Sequence, residues 1–241
     1  MRRLHLPTAA AGPLRLEGPR FHHLVRVLRA RAGEVLEIFD GRGTVFSAQV
    51  DEVGAQGASL TLGPGIPQGA ARAITIVQGL PKSEKLEWVL QKCTELGAAA
   101  FFPVFCERTV VKPSGREEAK VLRWQRIVEE AARQSGRADV PTVHPPQPLL
   151  EAVRALSGAR VLVLDEEEEA LPLSAAVAQD LSSAQPLALV IGPEGGLSRA
   201  EVAALRAEGA LPVNLGQRIL RTETAALAAL AVLLHLQGEL G

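Results

Sequence analysis

The chain has 241 residues, 47% of them hydrophobic and 22% charged, with a net charge of -1. That balance supports a substantial core, in one large domain or a small one joined to a medium one. A bilayer-spanning chain is not expected, because runs without a polar side chain, such as Ala225 to Leu234, fall far short of the ~20 residues a span requires.

The N-terminus, "MRRLHLPTAAAGPLRLEGPR", is basic but lacks the continuous apolar stretch of a signal peptide. Residues 1–31 carry seven arginines against one acid, Glu17, with His5, His22 and His23 in addition. Such a local excess suits a polyanion such as RNA, whose phosphates supply much of the binding free energy. A solvated surface in an arginine-rich proteome accounts for the same residues. Within this region "PRFHHLVRVLRA" predicts a helix, with Phe21, Leu24, Val25 and Leu28 inward and Arg26 and Arg29 outward. "EVLEIFDGRGTVFSAQVDEV" alternates on both sides of "DGRG" and predicts a hairpin, and "ASLTL" adds a strand. Several strands and one helix over residues 1–70 suggest a small barrel. Gly63 to Arg72 reads as a linker.

Beyond it, strands alternate with helices. "AITIVQG" is a strand and "SEKLEWVLQKCTELG" a helix, with Ser83 as N-cap, Gly97 at the stop and Trp88, Val89 and Leu96 facing inward. "AAFFPVF", "ARVLVLD", "PLALVIG" and "LPVNLG" are further strands. "GREEAKVLRWQRIVEEAARQSG" and "SRAEVAALRAEG" are helices, and an apolar helix closes the chain. Strands apolar on both faces and separated by helices imply an α/β fold with a parallel sheet covered on both sides. "DEEEEA" reads as a solvated turn without functional weight. The terminal helix, apolar on every face, predicts burial on all sides, with a dimer partner supplying part of the cover. Cys93 and Cys106 have no Cys or His neighbours at zinc-ligand spacing, so no metal site is expected and the thiols read as reduced, in a cytoplasmic protein.

Two glycine turns follow strands of this sheet. "LALVIGPEGGLSRAEV" runs from a buried strand through a turn into a helix whose Ser198 and Glu201 have capping-box spacing. "NLGQRILRTET" follows the next strand. Ligands of parallel α/β sheets sit beyond the carboxyl ends of strands, so the two loops are expected to face a common cleft. Neither fits the dinucleotide or phosphate-loop spacing.

"GPEGG", "LGQRILRTETA", "LPKSEKLEWVLQKCTELGA", "EEAARQSGR" and the N-terminal "HHLVRVLR…GE…DGRG" together resemble the 16S ribosomal RNA (uracil-N3)-methyltransferase family of the SPOUT class, in the same order along essentially the whole chain. The resemblance implies a PUA-like RNA-binding β-barrel over residues 1–70 and, over 71–241, a methyltransferase domain with a deep trefoil knot. It also implies a homodimer, S-adenosyl-L-methionine as cofactor, and 16S ribosomal RNA or the small subunit as partner. A ribose 2′-O-methyltransferase of the same class, or a catalytically silent RNA-binding relative, is the alternative; the intact loops and the "QSGR" and "ILRTETA" wording favour the uracil-N3 family.

By this resemblance the cofactor is held by Leu164, by Ile191, Gly192, Pro193, Glu194, Gly195 and Gly196, and by Leu215, Gly216, Ile219, Leu220 and Arg221. Apolar walls suit adenine, and glycine backbone groups suit its polar edge. Uracil N3 must lose its proton before attack, so a cation that stabilises the imide anion is required. Arg137 and Arg221 are the candidates, and Glu223 is the carboxylate that can take the proton, cap the last helix or pair with an arginine. Glu194 orders the loop or the cofactor, or simply sits as an acid near a helix N-terminus. His23, Arg26 and Arg29, with Lys92 and Gln134, are the expected RNA contacts.

Overall fold

A computed structural model describes residues 2–68, 72–82, 84–111, 115, 117–178 and 183–241. The chain divides into two compact units, Met1–Ala70 with Ala132–Val140, and Ala71–Ala131 with Pro141–Gly241.

The first unit is built on β1 (Arg3–His5), β2 (Gly12–Glu17), α1 (Gly18–His22), β3 (Val35–Phe39), β4 (Thr44–Val53), β5 (Gly57–Leu62) and β6 (Ile66–Pro67). The strands form one sheet in the order β1-β3-β4-β5-β2, with β6 on β4; only the β1–β3 pair is parallel. The β3–β4 hairpin closes on Asp40, whose Oδ1 accepts the Arg42 and Thr44 amides at 2.8 and 2.9 Å. Leu4, Leu24, Leu36, Ile38 and Leu60 form the core. The stretch expected to be a linker therefore begins inside the sheet. Pro67 is tolerated there because an edge strand does not require its missing N–H.

The helix expected near Phe21 is α1 continued as a π-helical turn over His23–Val27. Phe21, Leu24 and Leu28 are buried and Arg26 and Arg29 exposed. The Leu28 amide donates to His23 O at 3.0 Å and the Ala30 amide to Leu24 O at 3.1 Å. This closure places Arg29 in the left-handed region, φ 51°, where an L-residue costs roughly 1–2 kcal/mol.

The second unit contains β7 (Ile74–Gly79), α2 (Lys85–Leu96), β8 (Ala100–Phe105), α3 (Glu117–Ser135, whose last four residues belong to the first unit), β9 (Thr142–Val143), β10 (Gln147–Pro148), α4 (Leu149–Ala155), β11 (Arg160–Leu164), α5 (Leu173–Val177), β12 (Leu187–Ile191), α6 (Arg199–Ala207), β13 (Leu211–Val213) and α7 (Thr222–Leu236). The order is β10-β8-β7-β12-β11-β13, with β9 on β8, and every pairing is parallel. Residues of α4 and α6 share a core with Val77, Val163, Ala188 and Val190. Helix α7 packs on α2, α5, β7 and β12. Helices thus cover both faces, as apolar runs such as "LALVI" require.

One side-chain expectation fails, in α2, and α7 is covered only in part by its own chain. Helix α2 turns Leu86, Val89, Leu90 and Cys93 inward, while Trp88 is 43% exposed and Leu96 only partly buried. Residues 86, 89, 90 and 93 follow the helical repeat, and position 88 lies roughly 200° from 86. Helix α7 is buried along Thr222, Ala226, Ala229, Leu230, Leu233 and Leu234, but Ala228 and Ala231 are only partly covered and Val232 is 38% exposed. One chain alone leaves an apolar stripe uncovered. The Ser83 cap falls outside the described residues; helix α2 itself begins after Glu84 and ends at Gly97, φ 128°.

Candidate active site

Strands β12, β11 and β13 lie side by side and parallel, so their carboxyl ends emerge together. The segments leaving them, 164–169, 191–197 and 213–222, line one cleft of about 790 Å³, within the ~300–1,000 Å³ typical of cofactor sites. The second segment is compact because Gly192 has no side chain: a Cβ there stands 2.9 Å from the Gly196 carbonyl carbon and 3.0 Å from Leu197 N. The turn then enters α6 through the expected capping box. Ser198 Oγ accepts the Glu201 amide at 3.2 Å and Glu201 Oε2 accepts the Ser198 amide at 2.8 Å. The other Glu201 oxygen accepts the Glu107 amide at 2.7 Å, and Arg108 Nη1 donates to Gly195 O at 2.9 Å. The loop after β8 therefore braces the glycine turn.

The acidic run after β11 is a turn with Glu166, Glu167 and Glu169 exposed, as expected, but its other acids make contacts that bear on the site. Asp165 is buried and accepts two hydrogen bonds from Arg199, at 2.6 and 2.8 Å. Glu166, Glu168 and Glu169 line the cleft with Arg199, and Glu168 accepts from Arg206 at 2.9 Å. The hydrogen bonds from Arg199 hold the Asp165 carboxyl below its ordinary value of 3.8, against the opposing effect of burial. A lowered folded-state pKa stabilises the fold above pH 3.8, and that contribution is lost as pH falls through the folded value. Asp165→Asn is therefore expected to lower the melting temperature at pH 7 and flatten its decline on acidification. An unchanged acid limb in a calorimetric pH series removes this assignment.

Lys85, at the start of α2, had no place in the sequence reading. Its Nζ is 3.0 Å from Glu194 Oε1 and 3.6 Å from Glu223 Oε2, and Glu194 also accepts the Lys82 amide at 3.0 Å. The hydrogen bond to Glu194 raises the lysine pKa. Burial acts to raise that of Glu194, but hydrogen bonds from its own amide, Lys85 and Lys82 outweigh it and the net shift is downward. A single cation thus ties the second cleft segment to the first turn of α7. The signal for it lay in the "PKSEK" that leads into α2, but only the fold shows which carboxylates it meets.

The structure brings Leu164, Ile191, Gly192, Pro193, Glu194, Gly196, Leu215, Gly216, Ile219, Leu220 and Arg221 together around the cleft. Gly195 is held just outside it by Arg108. Ile219 stands at the lip, 81% exposed. Glu223 adjoins Lys85 rather than lining the cavity. Arg137 does not line it either; it pairs with Asp139 within the first unit. Lys92 pairs with Glu95 at 2.8 Å along α2, and Gln134 is exposed near the end of α3. Burial pushes both cysteines up to about 12, so at neutral pH neither is a thiolate nucleophile.

A family model for the RNA methyltransferase domain matches residues 68–234, and one for the RNA methyltransferase PUA domain matches residues 16–62. The chain belongs to the RNA methyltransferase family. The ribosomal RNA small subunit methyltransferase E of Bacillus subtilis is 36% identical over 226 residues, covering 90% of this chain and 88% of its own. That of Synechocystis sp. is 37% identical over 213 residues, covering 88% and 69%. A crystal structure of a ribosomal RNA small subunit methyltransferase E from Neisseria gonorrhoeae, bound to S-adenosyl methionine, superposes with a TM-score of 0.83 at 30% identity, covering 98% of both chains. The α/β methyltransferase fold with a PUA-like N-terminal domain, expected from the motifs, is the fold of this methyltransferase. No described helix is long and apolar enough to cross a membrane.

Proposed function

We propose that this methyltransferase transfers a methyl group from S-adenosyl-L-methionine to N3 of a uridine in 16S ribosomal RNA. The observation that carries the reading is the cleft at the carboxyl ends of β12, β11 and β13, lined by the same glycine turn and "LGQRILR" loop that mark the family. The residues present fit the cofactor. Leu164, Ile191, Val213, Leu215 and Leu220 offer apolar walls, and Gly192 and Gly196 bring bare backbone to the cavity. When bound, the cofactor supplies an electrophilic methyl on a sulfonium.

The chain's own residues hold and polarise the base. Arg221, exposed at the N-cap of α7, is among the residues that line the cleft, and its guanidinium is assigned to stabilise negative charge developing on the uracil oxygens. Glu223, one residue past the start of the same helix, is kept near a positive charge by Lys85. It is the carboxylate assigned to the imide proton. Arg137 is assigned to the same anion in the assembled enzyme. Residues 1–70 are assigned as the RNA-binding domain and 71–241 as the methyltransferase domain, with the family's trefoil knot among the cleft segments. The partly uncovered stripe of α7 supports a homodimer, and sedimentation is expected to give twice the monomer mass. A reducing cytoplasm is the assigned compartment.

Calorimetry is expected to show one adenosylmethionine site per chain, and mass spectrometry of treated 16S RNA to show N3-methyluridine. Label found on ribose instead would move the enzyme to the 2′-O class, and absence of cofactor binding would exclude both. His23, Arg26 and Arg29 are assigned to RNA contact, with Lys92 and Gln134. The left-handed Arg29 gives this assignment a sharp test. Arg29→Gly is expected to raise stability by about 1 kcal/mol, because glycine adopts that conformation freely. RNA affinity should fall at the same time, with the salt dependence reduced by about one charge. A variant equally tight at every salt concentration takes Arg29 out of the RNA footprint.

A further inference from the structure

Beneath the cleft, three segments meet at a buried polar point. Gln78, in β7, is 1% exposed, and Thr222, the first residue of α7, is 6% exposed. Gln78 Nε2 donates to Thr222 Oγ1 at 2.8 Å and to Gly79 O at 3.0 Å. Thr222 Oγ1 donates in turn to Gly192 O at 2.6 Å, while Gln78 Nε2 lies 3.4 Å from that carbonyl. A hydroxyl has one proton, so the chain of donation has one direction: Gln78 to Thr222 to Gly192. It joins the end of β7, the end of β12 and the start of α7.

An apolar residue at position 78 would be the simpler solution. The strand is buried throughout, and Gln78 Oε1 has no hydrogen-bond partner among the described residues. Leaving a buried acceptor unsatisfied is unfavourable, so the amide is accounted for by what it donates. What it fixes is the spacing between two parts of the cavity wall. Gly192 opens the Gly192–Gly196 turn, and Thr222 follows the Leu215–Arg221 loop directly.

We propose that Gln78 and Thr222 are positioning residues of this site, setting the distance between the glycine turn and the Arg221 loop and thereby the affinity for adenosylmethionine. The proposal rests on the methyl-transfer reading above, and its test separates the two. Thr222→Val removes the hydroxyl at nearly constant shape. It is expected to weaken adenosylmethionine binding about tenfold in calorimetry, the effect of one buried hydrogen bond. Thr222→Ser is expected to restore affinity to within about twofold, which a loss of packing would not allow. In ligand-free protein, amide hydrogen exchange over residues 215–221 is expected to quicken by about the same factor in Thr222→Val and in Gln78→Met. The double variant should be no worse than the more affected single one.

Wild-type exchange in Thr222→Val, or a serine variant as weak as the valine one, overturns the proposal. If wild-type protein binds no adenosylmethionine, the functional reading fails, and the exchange measurement still decides whether the residues position the loop. Should Thr222→Val not fold, Gln78→Met carries the same measurements.

Discussion

Replacing Gly79 by alanine is expected to weaken cofactor binding strongly, although Gly79 does not line the cleft. A Cβ at this position stands 2.6 Å from Pro193 N, 2.7 Å from Pro193 Cδ and 2.9 Å from the Gly192 carbonyl carbon. Two of these atoms are backbone, so no side-chain rotation relieves the clash. Either β7 withdraws from its pairing with β12, or the Gly192–Pro193 turn moves into the cavity that it lines. Overpacking of this kind costs about 1–3 kcal/mol. The melting temperature should fall by several degrees, and adenosylmethionine affinity by on the order of a hundredfold, the equivalent of about 3 kcal/mol of binding energy. Chemical denaturation and calorimetry read the two separately. Full affinity in the alanine variant would show that the turn relaxes without reaching the cavity.

Arg221→Ala carries the largest expected effect on turnover. Cofactor affinity should change little, because apolar and backbone groups make up most of the proposed binding surface, whereas kcat should fall on the order of a hundredfold or more, about 3 kcal/mol. Arg221→Lys keeps the charge but not the planar pair of donors, so partial recovery is expected. Single-turnover methylation of 16S RNA under saturating cofactor is the measurement. If turnover survives the alanine change while the oligomeric state shifts, Arg221 belongs to an interface and the role in charge stabilisation passes elsewhere.

Much of this arrangement was legible in the residues. Ser198 and Glu201 announce a capping box by spacing alone, since the reciprocal bonds require only three intervening peptide units, and both bonds are present. The apolar runs "AITIV" and "LALVI" state that their strands are covered on both faces, and the two glycine turns mark strand ends. "DEEEEA" is the solvated turn expected for most of its length, but composition distinguishes a charged segment from an apolar one and does not say which strand lies beside it. Only the placement of β11 between β12 and β13 brings Asp165 against Arg199 and turns the following glutamates to the cavity. Lys85 and Gln78 were missed for a related reason. Their partners, Glu194, Glu223, Gly192 and Thr222, lie more than 100 residues away in sequence, and local periodicity carries no information at that range. Trp88 was expected to face inward with Val89, and the helical repeat set by Leu86, Val89, Leu90 and Cys93 decided otherwise.

The order of these strands also bears on when the site comes into being during synthesis. The first wall of the cleft leaves the ribosome at Leu164, yet the strand beside it, β13, is completed only at Val213, and α7 docks on α2 later still. At about 5–20 residues per second, the nascent chain passes through an interval of several seconds in which β11 presents an open edge and the acidic segment has no opposite wall. Translation must reach Thr222 before Gly192 receives its hydrogen bond. A chain released before that point carries most of the strands and lacks one wall of the cleft.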